Sequence, residues 1–163
     1  MLATTSRSAL QRALFLRETL LGNIVLVVAG SALIAISAQI SIKLPIGPVP
    51  ITGQTFAVLL IGAVLGARLG AIAAALYVLE GIANLPVYAS GASGWGVITG
   101  SSGGYLLSYP IAAFVVGLLA HSGWDRRPIT IALAMLAGNV IIYVFGLPWL
   151  ANWMYANEST LGI

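Results

Sequence analysis

From residue 21 to residue 42 the chain runs for 22 positions without a charged side chain. As an α-helix rising about 1.5 Å per residue, this stretch is about 33 Å long, enough to cross the roughly 30 Å hydrocarbon core of a bilayer. Further apolar runs follow at 51–67, 69–85, 105–120 and 129–147. The composition agrees, with 60% hydrophobic and only 7% charged residues and a mean hydropathy of +1.02. A soluble domain carries about a quarter charged residues, so this is a membrane protein. Lipid offers no partners to a bare backbone, so the spans must bond internally. The fold class is therefore all-α: a polytopic membrane helix bundle with five visible spans.

The second and third runs meet at Gly66-Ala67-Arg68 and form a helical hairpin. Pro110 stands early enough in the fourth span to bend it, and Pro148 closes the fifth. Arginine placement sets the orientation, because positive loops stay in the cytoplasm. With the N-terminus inside, Arg7, Arg12, Arg17, Arg68, Arg126 and Arg127 are all cytoplasmic and only Lys43 is outside. Loops 43–52 and 83–104 then share the outer face, and the stretch Asn157-Glu158-Ser159-Thr160 is also outside. Residues 1–19 read as an amphipathic cytoplasmic head, a surface helix rather than a targeting peptide. Residues 20–163 form a single transmembrane domain.

The segment 44–55, LPIGPVPITGQT, packs three prolines and two glycines between the first two spans. Such a sequence fixes extended backbone. At membrane depth, extended backbone is tolerated only where it is buried in protein or lines a cavity. Holding a small molecule is a reason to build it.

Several chemistries are excluded. The chain has no cysteine, so disulfides, thiolate metal sites and cysteine nucleophiles are absent. Lys43 follows Ile42 rather than glycine, so no Walker A loop exists and any ATP-driven step needs a partner's motor. The lone His121 and the scattered acids Glu18, Glu80, Asp125 and Glu158 form no visible catalytic pair or metal cluster. The expectation is no enzyme, no catalytic residue and no resident metal or cofactor. The arginines flank apolar runs instead of forming a patch, so nucleic acid is not an expected partner.

Three polar residues need a reason. Asn139 lies near the middle of the fifth span, where an unpaired amide costs several kcal/mol; it bonds either a neighbouring helix or a ligand. Glu80 either reaches water at the outer edge or touches substrate. Gln54 caps a helix or hydrogen-bonds a ligand, and the ligand is preferred. The loop 84–105 carries six glycines interleaved with Tyr88, Trp95 and Tyr105. These aromatics suit an interfacial belt, whereas glycines this dense favour a ligand lid. Ser31 and Ala35 form a small-xxx-small pair that suits close approach of a helix, internal or from a partner.

In order and spacing, several motifs resemble the BioY family, the biotin-binding S components of energy-coupling factor (ECF) vitamin transporters. They are Gln39-Ile40-Ser41-Ile42, GPVPIT followed by Gln54-Thr55, and LG-x-R-x-G at 65–70. Leu85-Pro86-Val87-Tyr88, Gly103-Gly104-Tyr105-Leu106 and GNVIIYVFGLPWLA at 138–151 complete the set. The resemblance implies six helices in the cytoplasmic membrane that capture biotin from outside. A transmembrane T component and two cytoplasmic ATPases then drive release inward. It assigns substrate contact to Val49, Gln54, Asn84, Tyr88, Gly94, Trp95, Gly103, Tyr105 and Asn139, and T-component contact to Ser31 and Ala35. The amides suit the ureido ring of biotin, and the aromatics suit its thioether ring. Two departures stand out. Gly100-Ser101-Ser102 replaces the family's usual Gly-Pro-Thr, and no counterpart of the sixth helix, with its acid and lysine, is visible before Ile163. Two alternatives follow: a non-transporting remnant that acts as a membrane interaction partner, or an S component for another small vitamin.

Overall fold

The computed structural model describes residues 20–42 and 48–157, so the head 1–19, Lys43, the first part of the proline loop and residues 158–163 lie outside the described residues. The chain runs α1 (Leu20–Gln39), β1 (Ser41–Ile42), β2 (Ile51–Thr52), α2 (Gln54–Leu65), α3 (Ala67–Ile82), α4 (Trp95–Thr99), α5 (Gly103–His121) and α6 (Pro128–Ala156). Short 3₁₀ turns sit at Ala89–Gly91 and Trp124–Arg126. The structure is an all-α membrane bundle, as the apolar runs require.

α5 is the central helix, packing against α2, α3 and α6, while α1 lies on α3 and α2. Lipid tails are as apolar as leucine, so helices in a membrane associate through close packing rather than water exclusion. Small residues make that contact here. A side chain at Gly62 would run into the main chain of Ala113, so α2 and α5 touch almost backbone to backbone. Ile34, Val58, Tyr77, Leu106, Tyr109, Val116 and Ile142 fill the interior. Exposed Leu21, Val25, Val28 and Ile36 on α1, like Leu133, Val140 and Val144 on α6, form faces suited to lipid.

Several boundaries differ from expectation. Pro148 does not close the last span: α6 continues through it to Ala156, giving a 29-residue helix. Proline removes one N–H from the helical ladder, which a membrane helix tolerates when its neighbours hold it. Just beyond, Trp149 packs over Gly104 and its Nε1 donates to the Gly100 carbonyl at 2.9 Å, anchoring the last turns. The second span begins at Gln54 rather than residue 51, because Ile51–Thr52 pairs antiparallel with Ser41–Ile42. Among the described residues three helices, α1, α5 and α6, are long and apolar enough to cross a membrane. The hairpin helices α2 and α3 have 12 and 16 residues, or about 18 and 24 Å of rise, so the expectation of five spans counted two short ones. Loop 83–104 is not wholly irregular, since α4 forms within it.

Gly66 makes the hairpin turn expected at Gly66-Ala67-Arg68. Its φ of +83° is open to glycine and strained for other residues, and it ends α2 and starts α3 at once. The close approach of Gly117 to Ala67 brings this turn beside the C-terminal part of α5. Arg68 therefore stands at the same end of the bundle as His121, Arg126 and Arg127. The proline segment and loop 83–104 gather at the other end. They are tied together by Ser41 Oγ to Ser90 Oγ at 2.8 Å and by Gln39 Nε2 donating to the Tyr88 carbonyl at 3.2 Å.

Candidate ligand-binding site

At that second end a cavity of about 830 Å³ opens between the 48–56 segment, the 88–106 region and α6. Its size falls within the range of small-molecule sites. Among the described residues its wall holds no Asp, Glu, Lys, Arg or His, so its chemistry is neutral hydrogen bonding on an apolar and aromatic surface. A second, shallower hollow of about 530 Å³ shares Leu136, Asn139 and Tyr143 with it and runs across the exterior of α6 to Pro148.

The proline segment supplies Pro48, Val49, Pro50 and Ile51 as an extended edge. Gln54 follows as the first residue of α2. It caps nothing, because Gly53 holds the N-cap position without a side-chain bond. Instead, the buried Gln54 Oε1 accepts a hydrogen bond from the Tyr77 hydroxyl at 2.8 Å. Tyr109 is buried, and its hydroxyl lies near the side chains of both Gln54 and Thr55. These four residues form a buried polar pole on one side of the cavity.

Tyr88 enters from the loop after α3. Gly81 makes room for it, since a Cβ there would overlap the Tyr88 ring. The Tyr88 hydroxyl donates to the Val78 carbonyl at 2.7 Å, and its ring meets Tyr77 edge-on with centroids 5.6 Å apart. Burial pushes its phenol up to about 12, so it stays a neutral donor at physiological pH. Opposite, Tyr105 and Tyr143 meet edge-on at 6.0 Å and add a second aromatic wall. Asn139 comes from α6. Its Oδ1 is buried and has no hydrogen-bond partner among the described residues. A buried amide oxygen left unmatched costs about 1–3 kcal/mol.

Of the expected contact residues, Val49, Gln54, Tyr88, Tyr105 and Asn139 line this cavity together. Asn84, Gly94, Trp95 and Gly103 do not. Asn84, at φ +66°, and Gly94 lie against each other beside the turn after α3. Trp95 is 62% exposed, and Gly103 is packed under the Ile98 carbonyl and Trp149. Ser31 is fully buried inside the chain, where its hydroxyl donates to Glu80, so it presents no surface to an outside helix; Ala35 is half-buried. The same bond gives the intramembrane Glu80 a partner on α1. Sequence reasoning missed Thr55, Met135, Tyr109 and Tyr143. A tyrosine in an apolar span was the available signal, since a buried phenol needs a partner for its hydroxyl.

A bundle of apolar membrane helices with a neutral cavity of small-molecule size suits a class: membrane proteins that bind a small molecule. Residues 6–162 match the BioY family. The probable biotin transporter BioY of Pyrococcus horikoshii is 40% identical over 128 residues, covering 78% of this chain and 74% of that protein. The biotin transporter BioY of Thermotoga maritima is 45% identical over 117 residues, covering 71% of this chain and 66% of that protein. A crystal structure of the S-component for biotin from an ECF-type ABC transporter superposes with a TM-score of 0.72. It has 22% identity and covers 91% of this chain and 78% of that one, a likeness of fold. The chain belongs to the BioY family.

Proposed function

We propose that this chain captures biotin in the 830 Å³ cavity and serves as the substrate-binding S component of an ECF transporter in the cytoplasmic membrane. The observation that carries this reading is the cavity itself, whose wall brings the amide residues Gln54 and Asn139 together with Tyr88, Tyr105 and Tyr143. The two amides offer neutral hydrogen-bonding groups suited to a cyclic urea, and Tyr88, Tyr105 and Tyr143 supply flat apolar walls for a thioether ring. Family membership and relatives named as biotin transporters support the same ligand. With 16 heavy atoms, biotin reaches nanomolar affinity at about 0.8 kcal/mol per atom, within what an enclosed site supplies. Because the described wall is uncharged, the valerate carboxylate stays at the hydrated rim.

The arginines at the Gly66 end of the bundle support an orientation with that end in the cytoplasm and the cavity toward the outside. Catalysis is not part of the role. The energy comes from a T component and two ATPases, since the chain carries no Walker A loop. A formed cavity speaks against a remnant that only binds partners, and a panel of vitamins separates biotin from other ligands. The test is uptake of radiolabelled biotin by bacteria that lack their own biotin transport. Uptake is expected when this chain is expressed with its transporter partners. Absence of uptake from a correctly inserted chain would overturn the proposal.

A further inference from the structure

On α6 the buried residues are Ala134, Gly138, Ile142 and Gly146, one every four positions along the face turned to the bundle. Ile142 lines the cavity, and a glycine stands about one turn to either side of it. Both glycines are notches filled by side chains of other helices. A Cβ at Gly146 would run into the ring of Tyr105, meeting Cδ1, Cε1 and Cζ at once. A Cβ at Gly138 would stand 2.6 Å from Leu59 Cδ2 and would also press on Val116. Tyr105 and Leu59 are themselves cavity-wall residues. Gly62 and Gly117 differ, because their notches hold main chain and so set how closely the helices approach. At Gly146 the neighbour is a wall side chain, so the glycine sets where the wall stands.

We infer that Gly146 is a specificity-determining residue of this site. By letting the Tyr105 ring sit back against α6, it gives the cavity the width that a fused two-ring ligand needs. Gly146 lies behind the ring, Tyr143 meets it edge-on at 6.0 Å, and the cavity lies on its open side. A methyl group at position 146 therefore drives the ring toward the ligand, because a close-packed interior passes an added atom on instead of absorbing it. Gly138 acts in the same sense on Leu59, but its contact with Val116 spreads the displacement into the core, which makes Gly146 the cleaner gauge. Gly146 is not in the cavity wall and acts only through Tyr105. This inference rests on the biotin reading and adds to it a residue behind the wall that limits the thickness of the ligand.

The test uses the full chain in detergent, with binding followed by calorimetry and folding by thermal unfolding. It compares biotin with desthiobiotin, which keeps the urea ring and the tail but lacks the sulfur that closes the second ring. Gly146→Ala is expected to weaken biotin about tenfold or more, and desthiobiotin by less than about threefold. A role in folding alone would lower both ligands alike, and an unchanged ratio of the two affinities would overturn the inference. Tyr105→Leu in the Gly146→Ala background removes the displaced ring. The double variant should bind biotin more tightly than Gly146→Ala alone, since residues in contact are not additive. Additive losses would also overturn the inference. If Gly146→Ala does not fold, Tyr105→Leu alone decides. With the ring gone the cavity is wider, and preference should move toward biotin sulfone, whose sulfur carries two further oxygens; an unaltered ranking would count against the inference. Failure of the wild-type chain to bind biotin would overturn the biotin reading and this inference with it. Tight wild-type binding with an unshifted ranking in the variants would overturn this inference alone.

Discussion

Replacing Asn139 with leucine separates a ligand-reading amide from a structural one, because the two roles predict stability changes of opposite sign. Asn139 Oδ1 is buried without a partner among the described residues, which costs the empty protein about 1–3 kcal/mol. Leucine has a similar shape, needs no partner and is the better helix former by several tenths of a kcal/mol. Asn139→Leu should therefore leave the unliganded protein at least as stable as wild type, by up to about 1–3 kcal/mol. Binding should move the other way. A ligand polar group desolvated against leucine loses its partner, at about 1–3 kcal/mol, or roughly 5- to 150-fold in Kd. Thermal unfolding of the ligand-free protein in detergent gives the first quantity and calorimetric titration with biotin the second. A variant destabilised by more than about 1 kcal/mol would show that Asn139 joins helices. Unchanged affinity would remove it from the site.

Three other substitutions test the packing that builds the cavity. Gly81→Ala forces a methyl group into the Tyr88 ring; it should cost about 1–3 kcal/mol in stability and weaken biotin with it, both read in the same two assays. Trp149→Phe removes the bond to the Gly100 carbonyl. It should cost about 0.5–1.5 kcal/mol and speed biotin release, measured by chase of bound label. Ser31→Ala leaves the Glu80 carboxylate without its α1 donor, with an expected loss of about 1.5–3 kcal/mol. Glu80→Gln in that background should recover part of it, as seen in the unfolding midpoint.

Much of this architecture is legible in the sequence because the bilayer is a strict solvent. Uncharged runs must be helices there, so α1, α5 and α6 announce themselves. The prolines of 44–55 and the glycine at 66 mark the extended edge and the hairpin turn by backbone sterics alone. Asn139 is legible for the same reason, since an amide in mid-span must have a purpose. Pro148 misleads because a proline's local cost is offset by anchoring beyond it, and Trp149 on Gly104 and Gly100 lies far away in sequence. The glycine-rich loop marks a segment beside the cavity but not which side chains face inward. Tyr88 turns in because Gly81 leaves space for it, while Trp95 turns out and Asn84 is drawn to Gly94. Tyr77 and Tyr109 escape notice because an aromatic in an apolar span looks like core until its hydroxyl finds a partner. Ser31 shows that small-xxx-small spacing does not say which neighbour is approached; here it is the chain's own α3.

The most direct measurement is a calorimetric titration of the purified chain with biotin, beside a thermal unfolding scan of the same preparation. A cavity built from the proline edge, Gln54, the tyrosine walls and Asn139 should bind one biotin per chain, with a dissociation constant well below micromolar and a higher unfolding temperature in its presence. A preparation that unfolds cooperatively but gives no heat of binding and no thermal shift would contradict the assignment of biotin to this cavity.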